Sequence, residues 1–459
     1  MRARQGDNPA RAMQLLRTAT NAAPDFAPAW LALADAAQAI GEQDVAYEAL
    51  EHAQRATPAT AQTRQRRIKA ELALLDGDAP TAAGEWRALL SAAPDDTLAE
   101  LNLARALGSG GDFAGAISRL QSLTTRDPND PRAWFELGKF SILQGQAQRA
   151  VDDHLVRALV LYKRSGNRYG EAETVNALGI GYSRLGQSDD AEEQYRKAVE
   201  LRRAVGNRRG LATSLRNLGS VLSMRGKFDE AASYLDQARV LHTELGDEGG
   251  LAAVENELGL LAEERGDYPQ ALAAFRRALK LWQQLGHKPG MAQALNDIGF
   301  AHYQLGAYDD AQAYLVQSAN AYAELGDDTG RIRTQQNLGL LATARGQWRE
   351  ARKQLETSLT AAEQQQMFEE VAVSRRNLAE LEWLQGHLAA AITQARQAMK
   401  LFDERKDPRG LADAGLLEVQ ALLAARADGA ASNALDKLAP SIAQAPAEQR
   451  GIAALLRAE

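Results

Sequence analysis

The chain has 459 residues, of which 45% are hydrophobic and 25% charged, with a net charge of -7. This is the make-up of an ordinary soluble folded protein, and so mild an acidity speaks against a general affinity for nucleic acid. There is no cysteine, which excludes disulfides, thiolate catalysis and cysteine-ligated metals.

Met1-Arg2-Ala3-Arg4-Gln5 leads into the polar Gly6-Asp7-Asn8-Pro9, with no apolar signal core behind it. No apolar run is long enough to cross a membrane. Arginine outnumbers lysine and alanine is abundant, as in proteins of GC-rich bacteria. The expectation is a bacterial cytoplasmic protein with no membrane partner.

In residues 27–168 small and large residues return with a period of 34. One unit carries Trp30, Leu33, Ala34, Gly41, Ala46, Leu50, Ala53 and Pro58. A degenerate copy carries Ala70, Gly77, Ala82, Trp86 and Pro94. The next has Leu103, Ala104, Leu107, Gly111, Ala116, Leu120 and Pro128, and a fourth has Trp134, Leu137, Gly138, Gly145 and Ala150. Over 169–410 the period is 40. Gly179, Gly219, Gly259, Gly299 and Gly339 keep it, and Ala379 follows. Turn glycines run from Gly186 to Gly386. Small residues run from Ala191 to Ala391 and from Ala198 to Ala398. Four positions locked in one register mean a solenoid of one stacked unit. Within a unit, Leu178 and Tyr182 share one helix face, Gly186 stops the helix, and Ala191, Tyr195 and Ala198 start a second one.

The extra six residues fall between the second helix of one unit and the first of the next. There the closing proline gives way to Gly206-Asn207, Gly246-Asp247, Gly286-His287 and Gly326-Asp327. Glycine suits a left-handed helix C-cap and Asn or Asp an N-cap. Another glycine follows four residues later, at 210, 250, 290 and 330. Six helical residues add ~9 Å, shared between two helices. Gln366 and Lys406 stand where cap glycines belong. Residues 411–459 read as a degenerate repeat, with a capping helix over 446–459.

This code resembles the tetratricopeptide repeat, W-x2-L-G-x2-Y followed by A-x3-F and P. The resemblance covers almost the whole chain. It implies an all-α solenoid of about eleven helix pairs in a right-handed superhelix, with the first helix of each pair on the concave side. The 40-residue form is similar to that of kinesin light chains, spindle-orientation scaffolds and bacterial peptide-pheromone receptors, whose inner surface grips a peptide or partner protein. The expected function is therefore a non-catalytic scaffold binding a protein or peptide in the groove. The alternative is a sensory or regulatory arm of a larger bacterial kinase or transcription regulator.

Projecting the family's inward positions gives Asn176, Arg216, Asn217, Asn256, Glu257, Asn296, Asp297, Gln336, Asn337, Arg376 and Asn377. Asparagine offers a donor and an acceptor together, so a column of them could hold a peptide backbone or bond neighbouring helices. Phe300, Tyr303 and Trp383 are expected to face the groove or pack on the next helix. Glu257, Glu263, Glu264 and Asp297 form an acidic patch flanked by Arg216, Arg333 and Arg376, which suits a partner with a basic centre. A family clamp for C-terminal carboxylates needs basic residues where Ala253 and Glu257 stand.

No cofactor or metal is expected. The six histidines show no metal-ligand spacing. Gly108-Ser109-Gly110-Gly111 has no P-loop lysine and follows a helix.

The residues before 27 read as a second helix without its first. Pro24 fits a closing proline, Ala12, Leu16 and Ala19 fit the small-large-small code, and Gly6-Asp7 falls on the turn. The stripe Ala12, Leu15, Leu16, Ala19 is then uncovered, which points to more protein upstream, an additional chain or self-association at this edge.

Overall fold

A computed structural model describes residues 9–444 and 447–457. Gly6-Asp7, and residues 446 and 458–459 of the expected capping helix, lie outside the described residues. The chain divides into two compact units, Met1–Arg225 with Asp236–Leu245, and Gly226–Leu235 with Gly246–Glu459. The described residues are helical throughout, with no strand.

After Pro9–Ala22, eleven helix pairs follow one another among the described residues, from Ala27–Ala39 with Gln43–Arg55 to Pro408–Ala424 with Asp428–Gln444. Ala447–Leu456 comes last. Within a pair the turn glycine is left-handed, as at Gly186 (φ 72°), a region closed to most side chains. The small-residue code marks where the helices of a pair meet. A Cβ on Gly259 would lie 2.4 Å from the Phe275 ring, and one on Gly179 2.6 Å from Tyr195.

Helices of the first three pairs are 13 or 14 residues long, such as Thr97–Ser109 and Phe113–Arg126. Those of the long repeats have 17 or 18, such as Lys288–Gln304 and Tyr308–Leu325. At 1.5 Å per residue the helices grow from about 20 to about 26 Å. The joints between long repeats are built by the second glycine series. Asn207, Asp247, His287, Asp327 and Asp407 cap the next helix by accepting the N–H of Gly210, Gly250, Gly290, Gly330 and Gly410. A Cβ on Gly330 would lie 2.2 Å from the Tyr322 ring, and one on Gly410 2.4 Å from Phe402. At these joints the last turn of the second helix thus presses on the first turn of the next.

The change of period has a local mark. The step from Gly138 to Gly179 is one residue longer than the step from Gly179 to Gly219. The extra residue is absorbed by a π-helical segment, Ala150–His154, between Ala147–Arg149 and Leu155–Ser165. Gly138 accordingly meets Leu155, one position further along the second helix than the contact of Gly259 with Phe275. A π-bulge is how a helix accepts one inserted residue without breaking.

Candidate binding groove

Within each unit the first helices of successive pairs touch one another directly, whereas the second helices stand further apart. The first helices therefore form the inner, concave wall, and the polar column predicted from the sequence lies on them.

Much of that column is engaged inside the protein. In the first unit Asn176 Oδ1 accepts from Ser214 Oγ at 2.9 Å and Asn217 Nδ2 at 3.4 Å. In the second, Asn296 Oδ1 accepts from Thr334 Oγ1 at 3.2 Å and Asn337 Nδ2 at 3.0 Å. Gln336 Nε2 donates to Ser374 Oγ and to the Glu370 carbonyl, both at 3.0 Å. These rungs tie Arg168–Arg184 to Arg208–Met224, Lys288–Gln304 to Asp328–Ala344, and Asp328–Ala344 to Phe368–Leu384. Arg376 donates to Asn377 Oδ1 and Glu380. Arg333 holds buried Glu370 at 2.6 Å. Arg216 is half-buried on a first helix of the first unit and Glu257 on one of the second.

The aromatic residues are half-buried. Phe300 and Tyr303 have ring centres 5.8 Å apart, and those of Tyr303 and Tyr308 are 6.2 Å apart with the rings tilted. Tyr303 also packs on the cluster of Ala311, Leu315 and Leu341. Its phenol is pushed up by burial and by Glu380 across the wall. Trp383 is half-buried at the end of its helix.

The acidic patch is gathered on Glu248–Glu264 and Lys288–Gln304. Burial raises the Glu263 carboxyl to about 8, helped by Asp297 and Glu264 and opposed by Arg409. Burial also raises Asp297 to about 7, with Glu257 adding to it, while hydrogen bonds from Asn296 and Asn256 and the charge of Arg333 oppose it. Arg409 Nη1 reaches both oxygens of Glu264, at 2.8 and 2.7 Å, from a helix four repeats later. No local pattern in the sequence signals this pair.

The front repeats carry inner-wall ion pairs that the sequence reading missed. Arg67 bonds Glu71 at 2.7 Å and Asp35 at 2.5 Å. Arg105 and Lys139 hold Glu136 at 2.8 and 2.6 Å. Burial alone would raise Glu136, but these two cations hold it down at about 2. A signal was present, because Glu71, Arg105 and Lys139 occupy the same place in three successive short repeats. No group of His, Asp and Glu among the described residues could hold a metal ion, and no described helix is long and apolar enough to cross a membrane.

Models of the tetratricopeptide repeat match residues 101–166, 172–206 and, in overlapping windows, 210–364, more than half of the chain. The chain belongs to the tetratricopeptide repeat family. Among solved structures, this tetratricopeptide chain is similar to a Rap protein complexed with Competence and Sporulation Factor. The two are 14% identical, with a TM-score of 0.58 over 86% of this chain and 99% of that one. It is also similar to aspartyl phosphate phosphatase F from Bacillus subtilis, at 13% identity, TM-score 0.53, over 75% and 94%. A third is a signal transduction ATPase with a tetratricopeptide repeat sensor from Pyrococcus horikoshii, at 16% identity, TM-score 0.51, over 86% and 55%. At such identities the likeness is one of fold. No curated protein sequence matches significantly.

Proposed function

We propose that this chain is a non-catalytic scaffold that binds a protein or peptide along the inner wall of its long repeats. The observation that carries this reading is the placement of the polar column. The outer helices carry ordinary charged faces, whereas the inner wall keeps asparagine, aspartate and arginine at fixed register although asparagine is a poor helix residue. Asn256 and Asn377 each retain a buried amide atom with no hydrogen-bond partner, Oδ1 and Nδ2 respectively. An unmade buried hydrogen bond is costly, and a bound backbone or side chain could make it. The similar Rap protein was solved with Competence and Sporulation Factor, which agrees with a receptor-like use of this fold. The third similar structure names its repeats a sensor, which favours a regulatory role as the second reading.

The test is site-specific photo-crosslinking in cells that produce the full chain. A photoreactive phenylalanine analogue at Phe300, on the inner wall, is compared with one at exposed Gln317 on the outer helix. Discrete adducts from position 300 and none from 317 support the groove. Adducts from 317 alone move the site to the outer face.

A further inference from the structure

The rung at Asn256 lacks both donors that its equivalents have. Asn176 is served by Ser214 and Asn217, and Asn296 by Thr334 and Asn337. The residues in those two positions for Asn256 are Ala294 and Asp297. Alanine has no hydroxyl and an aspartate carboxylate no N–H. Asn256 is 8% exposed, and its Oδ1 is buried without a hydrogen-bond partner. Its amide N–H is turned to Asp297 instead. Asp297 Oδ2 is likewise buried and unpartnered. Glu263 lies two turns along from Asn256, interacts with Asp297 and Glu264, and forms no ion pair among the described residues. The nearby cations are committed: Arg409 to Glu264, and Arg333 to Glu370.

Acceptors thus converge where the chain's own donors, the amides of Asn256 and Asn296 on Asp297, leave Asn256 Oδ1 and Asp297 Oδ2 unserved. The described residues hold no cluster arranged as metal ligands, so the missing donors fit an organic cation. We propose that Asn256, Glu263 and Asp297 form a socket for one guanidinium or ammonium group, carried by an arginine or lysine side chain of the bound peptide. The inference rests on the groove reading above. A buried charge is tolerated when it is both paired and hydrogen-bonded, and the socket supplies two carboxylates and an amide oxygen. Arginine suits it better than lysine, because the guanidinium fork can reach a carboxylate and an amide oxygen together. The raised carboxyls of Glu263 and Asp297 agree with a site that a cation completes.

The experiment uses the full chain and three pools of fluorescent nonapeptides, degenerate except for a central Arg, Gln or Glu. Butylguanidinium serves as a free-cation probe. The Arg pool is expected to bind roughly tenfold tighter than the Glu pool. Asp297→Asn with Glu263→Gln is expected to remove most of that gap, with helicity by circular dichroism unchanged. Glu263→Gln alone, at a less buried position, narrows the gap in part and guards against misfolding of the double variant. Pools that bind without preference for the central residue overturn the socket and leave the groove reading intact. No binding of any pool overturns both. Protection by butylguanidinium that needs Asp297, without any Arg-pool preference, overturns the peptide source.

Discussion

Arg409 and Glu264 are 145 residues apart in sequence and 2.7 Å apart in space. Their ion pair joins the start of Pro408–Ala424 to the end of Glu248–Glu264 across the inner wall of the second unit. It is a contact between the ends of a stack, made by curvature and by neither helix alone.

Arg409 is about half exposed, so the pair contributes little to stability, ~0–1 kcal/mol. Its effect should be on opening. Arg409→Ala is expected to leave the melting temperature almost unchanged. Amide exchange at the inner ends of these two helices should rise, and high salt should do the same to the wild type. Unchanged exchange in Arg409→Ala would show that the contact restrains nothing.

Gly259 meets the ring of Phe275, and even a methyl group there would overlap it. Gly259→Leu is expected to cost ~1–3 kcal/mol through overpacking. Glu248→Leu, at an exposed position, serves as control and should cost much less. Urea unfolding of both variants checks this, and equal midpoints would count against the packing assignment.

Gln366 and Lys406 hold at their joints, and Arg426 at the turn within the last pair, the left-handed conformation that glycine holds at the equivalent positions, with φ of 55°, 56° and 53°. A side chain in that region costs ~1–2 kcal/mol. Gln366→Gly is therefore expected to stabilise the second unit by up to ~1 kcal/mol, since the unfolded glycine chain recovers part of the gain. A lower melting temperature for Gln366→Gly would contradict the assignment.

The acid pair makes stability depend on pH with a definite sign. Asp297 is raised to about 7 and Glu263 to about 8. Between the ordinary carboxylate range and these values the folded chain holds more protons than the unfolded one, so stability falls as pH rises. The groups facing the pair are Asn256, Glu257, Glu264, Asn296, Tyr322, Arg333 and Arg409. Burial also lowers the pKa of His154 and of His302, so the readout is a difference. The double variant Asp297→Asn, Glu263→Gln should gain melting temperature over wild type at pH 8 and lose that advantage at pH 5. A gain that does not vary with pH would place the effect in packing.

The first described helix packs on the second and buries Ala12, but leaves Leu15 58% exposed. If this edge takes a second copy or another chain, Leu15→Lys should abolish concentration-dependent association in sedimentation velocity. Sedimentation as a monomer at every concentration, in both proteins, would remove self-association from the reading.

Periodicity alone determined the helix pairs, their turns and their close contacts, because a glycine against a ring or in a left-handed turn leaves one answer at each step. Gly330 was visible only as a recurring glycine, without its contact with Tyr322, whereas Gly179 and Gly259 could be read in this way without coordinates. So could the caps at Asn207 and Asp327, where a short acceptor must follow a helix-ending glycine. The polar column was legible as a set of positions, but its chemistry was not. Whether an asparagine is served depends on which side chains the next first helix sets beside it. Only the stacking of one helix on the next makes Ser214 and Asn217 the neighbours of Asn176, or Ala294 and Asp297 those of Asn256. The π-helical segment Ala150–His154 was visible as one lengthened step in the glycine series, but not as a conformation. Arg409 and Glu264 lay furthest out of reach, because small rotations per repeat add up over the stack and no pattern within one repeat records their sum.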